Sequence, residues 1–254
     1  MSHFYTLVLI DPAMADDPES AVEPILAPYD ENISTAPTRE YMDASDIERM
    51  AKYYTDKGKD VSTSDLSTLV PFLKEWNGCD GGIDSKGNLY YLSTYNPQSQ
   101  WDWYVVGGRW SGQLGGYDVR DYPQNYEVCH LCNGTGTRPD GIERFGEAWA
   151  ESNGGCNGCS GEGTRLKWSD HFVPEDGNIK PVATLLPLLG DVEQADKIVP
   201  FAIVTPSEGW VERGSMGWFG MASDEKDSDD WANQVKTLLE TYPEHVAVVV
   251  DCHI

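Results

Sequence analysis

One eight-residue skeleton occurs twice in the middle of this chain, as Cys129-His130-Leu131-Cys132-Asn133-Gly134-Thr135-Gly136 and as Cys156-Asn157-Gly158-Cys159-Ser160-Gly161-Glu162-Gly163. No other feature restricts the fold as much. Two residues between cysteines let both thiolates of one tight turn face a single ion at about 2.3 Å, and the glycines supply the positive φ angles and bare amides that such a turn needs. Two turns of this kind make one tetrahedral site with Cys129, Cys132, Cys156 and Cys159 as ligands. Its four positions are filled by protein, which leaves no place for a reacting water, so the expected ion is structural and is Zn²⁺. Two disulfides, an iron–sulfur cluster or a thiol redox pair are the other uses of four such cysteines. Disulfides suit an oxidising compartment, whereas the opening Met1-Ser2-His3-Phe4 lacks the basic segment of a signal peptide. His130, inside the first knuckle, is expected to be a solvated bystander.

The flanking sequence predicts an α+β fold, a mostly antiparallel sheet with helices packed on it. Phe4–Ile10 and Val246–Val250 read as buried strands, the second as central. Leu89–Tyr95 and Trp101–Val106 read as further strands, and so does Ile198–Val204, whose Pro200 suggests an edge strand or the strand's first residues. Gly214-Ser215 is a turn signal between Trp210–Arg213 and Met216–Gly220. Helices are expected from Asp17-Pro18, from Ser45 or Asp46, from Asp65 with a bend at Pro71, and from the Ser228-Asp229 region. In domain terms, 1–126 and 168–254 form a discontinuous main domain and 127–167 an inserted zinc-binding module, a small zinc-knuckle insertion. Between the knuckles Ile142, Phe145 and Trp149 fall at helical spacing and predict a small apolar face.

The doubled CxxCxGxG resembles the cysteine-rich zinc module of DnaJ-type co-chaperones over about 40 residues. That family uses four repeats for two ions. Two repeats here allow one ion, and no J domain with its His-Pro-Asp signature accompanies them. The resemblance implies Cys129, Cys132, Cys156 and Cys159 as zinc ligands and does not imply co-chaperone activity. The wider pattern resembles uncharacterised accessory proteins of tailed bacteriophages. It comprises the acidic Tyr29-Asp30-Glu31-Asn32, the segment from Trp103 to Gly112, the two knuckles and the closing Asp251-Cys252-His253. This likeness implies a small protein made in the cytoplasm of an infected host and supplies no activity.

Charge limits the partners. With 42 acidic residues against 18 basic ones the formal net charge is −24, which disfavours direct binding to nucleic acid or an anionic membrane, since both need a basic surface. No apolar run approaches the roughly 18 residues of a membrane helix, so the chain is expected to be soluble and cytoplasmic. The acidity lies at the two ends: residues 1–48 hold 11 acids and one base, and residues 208–254 hold 10 acids and three bases. The expectation is an acidic zinc-binding interaction protein whose partner is a protein, basic or nucleic-acid-binding, met by imitation of a polyanion.

A second function class, enzymatic, rests on the segment Trp103-Tyr104-Val105-Val106-Gly107-Gly108-Arg109-Trp110-Ser111-Gly112. It reads either as a hairpin rich in core tryptophans or as an aromatic pocket in which Arg109 anchors an anion, with Trp103 and Trp110 as walls. If the first and last strands ran parallel, Asp11, Asp251 and His253 would meet at one end of the sheet, joined by Tyr29, Asp30 and Glu31 from a loop. Such a pocket could serve a small hydrolase or transferase acting on a nucleotide or phosphodiester, with His253 as base and Arg109 holding charge. Cys252 is a poor nucleophile beside His253, because neighbours on a strand face opposite ways.

Overall fold

The structure, a computed structural model, describes residues 3–140, 155–167, 171–217 and 221–254. The proposed apolar face at Ile142, Phe145 and Trp149 lies outside the described residues. The chain divides into two compact units, Tyr29–Ser99 and the remainder, Met1–Pro28 with Gln100–Ile254. The sequence marks no such break at 29–99.

In the larger unit β1 (His3–Ile10) leads to α1 (Pro18–Leu26). The Asp17 carboxylate caps α1 by accepting the Ser20 N–H at 3.3 Å, and Pro18 occupies the first turn, where its missing N–H costs nothing. Ala21, Val22 and Leu26 are its buried stripe.

The smaller unit holds β2 (Thr38–Tyr41), α2 (Ala44–Asp56), α3 (Leu73–Asn77), β3 (Gly81–Ile83) and β4 (Leu89–Ser93). The strands form an antiparallel sheet in the order β2-β4-β3. Asp43, not Ser45 or Asp46, caps α2: its carboxylate accepts the Asp46 N–H at 2.8 Å. Met50, Ala51 and Tyr54 of α2 pack with Leu69, Leu73 and Leu89 in a core belonging to this unit. The helix expected from Asp65 is interrupted, since Pro71 lacks the N–H that an α-helical turn would use. Two 3₁₀ turns, Leu66–Thr68 and Val70–Phe72, precede the short α3.

Back in the larger unit come β5 (Trp103–Val106), β6 (Tyr126–Val128), β7 (Thr164–Leu166) and β8 (Ile179–Pro181). After them follow α4 (Val182–Leu185), α5 (Val192–Ile198), β9 (Ala202–Thr205), β10 (Gly209–Glu212), β11 (Ser215–Met216), β12 (Ala222–Ser223), α6 (Ser228–Thr241) and β13 (Val246–His253). The main sheet has the order β10-β9-β1-β13-β5, with β8 also paired to β13. Every pairing in it is antiparallel except β1 with β9.

β13 is buried along its whole length and central, as its unbroken apolar run requires. Its first half bonds β8 and its second half β5. Two sequence expectations are corrected. Ile198 ends α5 instead of opening a strand, and Pro200 stands just before β9, so the proline marks where the strand begins and not an edge, and β9 runs inside the sheet. β10 pairs with β9 rather than with the segment after Gly214, and β11 pairs with β12. Tyr5, Leu7, Leu9, Val249 and Ile203 cover one face of the sheet and meet Trp231, Val235 and Leu239 of α6. On the other face α1 lies against β1, and the Trp101 indole N–H donates to the Leu26 carbonyl at 3.2 Å.

Candidate metal centre

β6 and β7 form the stem of the cysteine arm, pairing Tyr126 with Leu166 and Val128 with Thr164. Glu127 and Arg165 face each other across the stem at 2.8 Å. Its root is fixed by buried Asn125, whose amide donates to the carbonyls of Val119 and Val173 and whose oxygen accepts the Val173 N–H. These three bonds satisfy a buried amide that would otherwise be costly.

At the head of the stem the two knuckles are related by an approximate twofold. The Cys129 N–H donates to the Gly163 carbonyl at 2.9 Å, and in the mirrored contact the Cys156 N–H donates to the Gly136 carbonyl at 2.7 Å. Residues after the second cysteine, Asn133 and Ser160, both take left-handed conformations, with φ of 50° and 52°. The last glycines of each motif are required by close approach. A Cβ on Gly136 would lie 2.2 Å from the Gly161 carbonyl oxygen, and one on Gly163 would lie 2.4 Å from that of Gly134. The motif's glycines let the two turns pack backbone against backbone and bring their thiols to one point.

The four thiols lie within 4.8 Å of one another. Sγ of Cys129 is 3.8 Å from that of Cys156, and Sγ of Cys132 is 3.7 Å from that of Cys159. A tetrahedron with metal–sulfur bonds of about 2.3 Å has edges of about 3.8 Å, so a single ion fits at the centre. All six cysteines are free thiols, and a disulfide bond would need about 2.05 Å. Cys129, Cys132 and Cys156 are fully buried and Cys159 is nearly so. Burial pushes the Cys132 thiol up, but the Gly136 amide, the Cys159 thiol and the Gly134 amide outweigh it and hold that thiol at about 7. Burial pushes Cys156 up to about 11. Crowded thiols cannot all ionise alone, and a divalent cation is what allows all four to do so. His130 is exposed and outside the thiol cluster.

The other candidate residues fall elsewhere. β1 and β13 are antiparallel, with His3 opposite His253 and Ile10 opposite Val246. Asp11 therefore stands at the far end of the sheet from His253, about 26 Å away at the rise of an extended strand. Asp11, Asp251 and His253 do not converge. Asp11 caps a 3₁₀ turn instead, accepting the Ala13 N–H. Tyr29, Asp30 and Glu31 belong to the smaller unit, where the Asp30 carboxylate accepts two bonds from Asn32 and its carbonyl accepts the Asn96 amide. Trp110 stacks on Tyr5 as part of the core. The Arg109 side chain is exposed, and its backbone N–H donates to Asp251 at 2.9 Å.

What the sheet does assemble is a pair of imidazole–carboxylate contacts. His3 Nδ1 lies 2.9 Å from Asp251 Oδ1, and His253 Nδ1 lies 2.5 Å from Asp102 Oδ1. Trp103 lies beside both rings. His253 and Trp103 were legible as candidates, whereas His3 and Asp102 were not. The period-two spacing of Asp251 and His253 puts them on one face, but only the strand order brings His3 opposite.

Fold and site together define an α+β protein with a cluster of four buried cysteines, able to hold one metal ion, on a two-stranded stem. No protein-family model matches the chain, and no curated protein and no solved structure matches it. Among the described residues no helix is long and apolar enough to cross a membrane.

Proposed function

We propose that this chain is an acidic zinc-binding interaction protein whose partner is a protein, basic or nucleic-acid-binding, met by imitation of a polyanion. The observation that carries the first half is the fit of four buried thiols to one tetrahedral ion with no open position. Zinc is the ion best matched to a closed four-thiolate tetrahedron, and its role there is to hold the arm together rather than to react. The resemblance of the doubled motif to DnaJ-type zinc modules supports the same ion.

The second half rests on charge and its display. Asp11, Asp16, Asp17, Glu19 and Glu23 around α1 are all exposed, and so are Asp224, Asp227, Asp229 and Asp230 at the start of α6. Such fields steer a basic partner and repel nucleic acid. A host protein is the expected target if the bacteriophage likeness holds. The hydrolase or transferase alternative needs Arg109, Asp11, Glu31 and His253 around one pocket, and Asp11 is separated from His253 by the length of the sheet.

Immobilised protein should capture a nucleic-acid-binding partner from host extract at low salt, with retention falling steeply between about 50 and 200 mM salt and competed by duplex DNA. Capture indifferent to both salt and DNA would remove polyanion imitation. One zinc per chain, lost on chelation, is the expected metal content, and a preparation that binds none would remove the metal half.

A further inference from the structure

We propose a second metal site, at the β1–β13–β5 end of the main sheet, in which Nε2 of His3 and Nε2 of His253 ligate one divalent late transition-metal ion such as Zn²⁺, Ni²⁺ or Co²⁺. It differs in kind from the cysteine centre, because two imidazoles fill only two positions and leave the others to water or an external ligand.

Register builds the pair. His3 and His253 are directly opposed across β1 and β13, so their side chains share one face of the sheet, and Trp103 of β5 is directly opposed to His253 on the same face. The rings are 5.0 Å apart between centroids, at 76° to one another. Two imidazoles on one tetrahedral ion, with metal–nitrogen bonds of about 2.0 Å, have centroids about 5 Å apart.

Each ring is also backed by a carboxylate at Nδ1. Nδ1–H of His3 donates to Asp251, and Nδ1–H of His253 donates to Asp102. A carboxylate behind Nδ1 fixes the tautomer that presents the Nε2 lone pair, the usual arrangement behind metal-binding histidines. Asp251 is itself fixed, being 1 % exposed and bonded by the Arg109 backbone N–H.

The independent observation is an orphan. Nε2 of His253 is buried and has no hydrogen-bond partner, in a residue only 8 % exposed. A buried polar atom left unpaired calls for an unseen ligand, and a cation is the ligand that suits a lone pair on a carboxylate-backed imidazole. The Trp103 ring centroid is 5.6 Å from that of His3 and 5.8 Å from that of His253, so the indole stands beside both rings.

The test uses full-length protein whose cysteine centre is already loaded with zinc. On titration with Co²⁺ the wild type should take up a second equivalent whose visible absorption lacks the thiolate charge-transfer band. Nitrogen-15 spectra should show Nε2 of both His3 and His253 shifting with that equivalent. His3→Asn and His253→Asn keep an amide that can donate to Asp251 or Asp102 but lack the second ring nitrogen. Each should weaken the second equivalent at least ten-fold and leave the first intact. Asp102→Asn should weaken it by about 10–100-fold, the usual effect of removing such a carboxylate. Saturation at one ion per chain, a second ion retained by both histidine variants, or Nε2 resonances indifferent to metal would each overturn the site.

Discussion

Single residues decide how closely this backbone can pack. Gly108 has φ of +54°, and a Cβ there would lie 2.4 Å from the Asp251 Cβ. Gly108→Ala combines a strained backbone with a clash against a buried carboxylate, so it is expected to cost about 1–3 kcal/mol, read as a lowered denaturant midpoint with unchanged slope. An unchanged midpoint would show that Asp251 can retreat. Cysteine reactivity should sort by burial in the same way. Cys252 is fully buried on the face opposite His253, and burial pushes its thiol up to about 12. In the metal-loaded protein Cys79, half-buried, should therefore react with a thiol reagent first, and Cys252 only when the sheet opens. Counting labelled cysteines by peptide mass checks this, and early labelling of Cys252 would contradict it.

At the scale of elements, caps and turns set boundaries that hydrophobic spacing cannot. Asp43 caps α2 through the Asp46 N–H, and Asp43→Ala should lower stability by about 1 kcal/mol. The tight β9–β10 turn is tied to the end of α6 by Glu208, whose carboxylate accepts the Thr205 hydroxyl at 2.7 Å and the Tyr242 hydroxyl at 2.9 Å. Thr205 first, then Ser207 and Tyr242, hold its carboxyl down at about 2. A carboxyl lowered by folding stabilises the native state above its unfolded value, near 4.5, and loses that effect as pH falls toward the folded value. Glu208→Gln should thus melt below wild type at neutral pH, with the gap closing between about pH 4.5 and 2. A gap constant over that window would mean the bonds are made by a neutral carboxyl. α3 shows a different limit: Leu66, Leu69, Leu73 and Trp76 have helical spacing, yet Pro71 splits the segment into short turns.

For the whole molecule, the cysteine centre and the main sheet are held by different forces. On the proposed reading thiolate–metal bonds would hold the arm, whose hydrophobic packing among the described residues consists of the four cysteines and Leu131, while the sheet is held by the core between β1, β13 and α6. Cys129→Ser or chelation should raise hydrogen exchange across 126–136 and 155–166 and leave β1 and β13 protected. Loss of protection in both would mean the arm supports the sheet. By itself the sequence determined the α+β class, the buried first and last strands, the four thiols and the acidic ends. These are local: apolar periodicity, CxxC spacing and composition do not depend on which strand lies beside which. Tertiary structure alone decided that 29–99 is a separate unit, that β9 lies inside the sheet, that Asp11 is remote from His253 and that His3 stands opposite it. Each follows from strand order and direction, and antiparallel pairing of the two ends of the chain joins residues 250 positions apart that no local pattern relates.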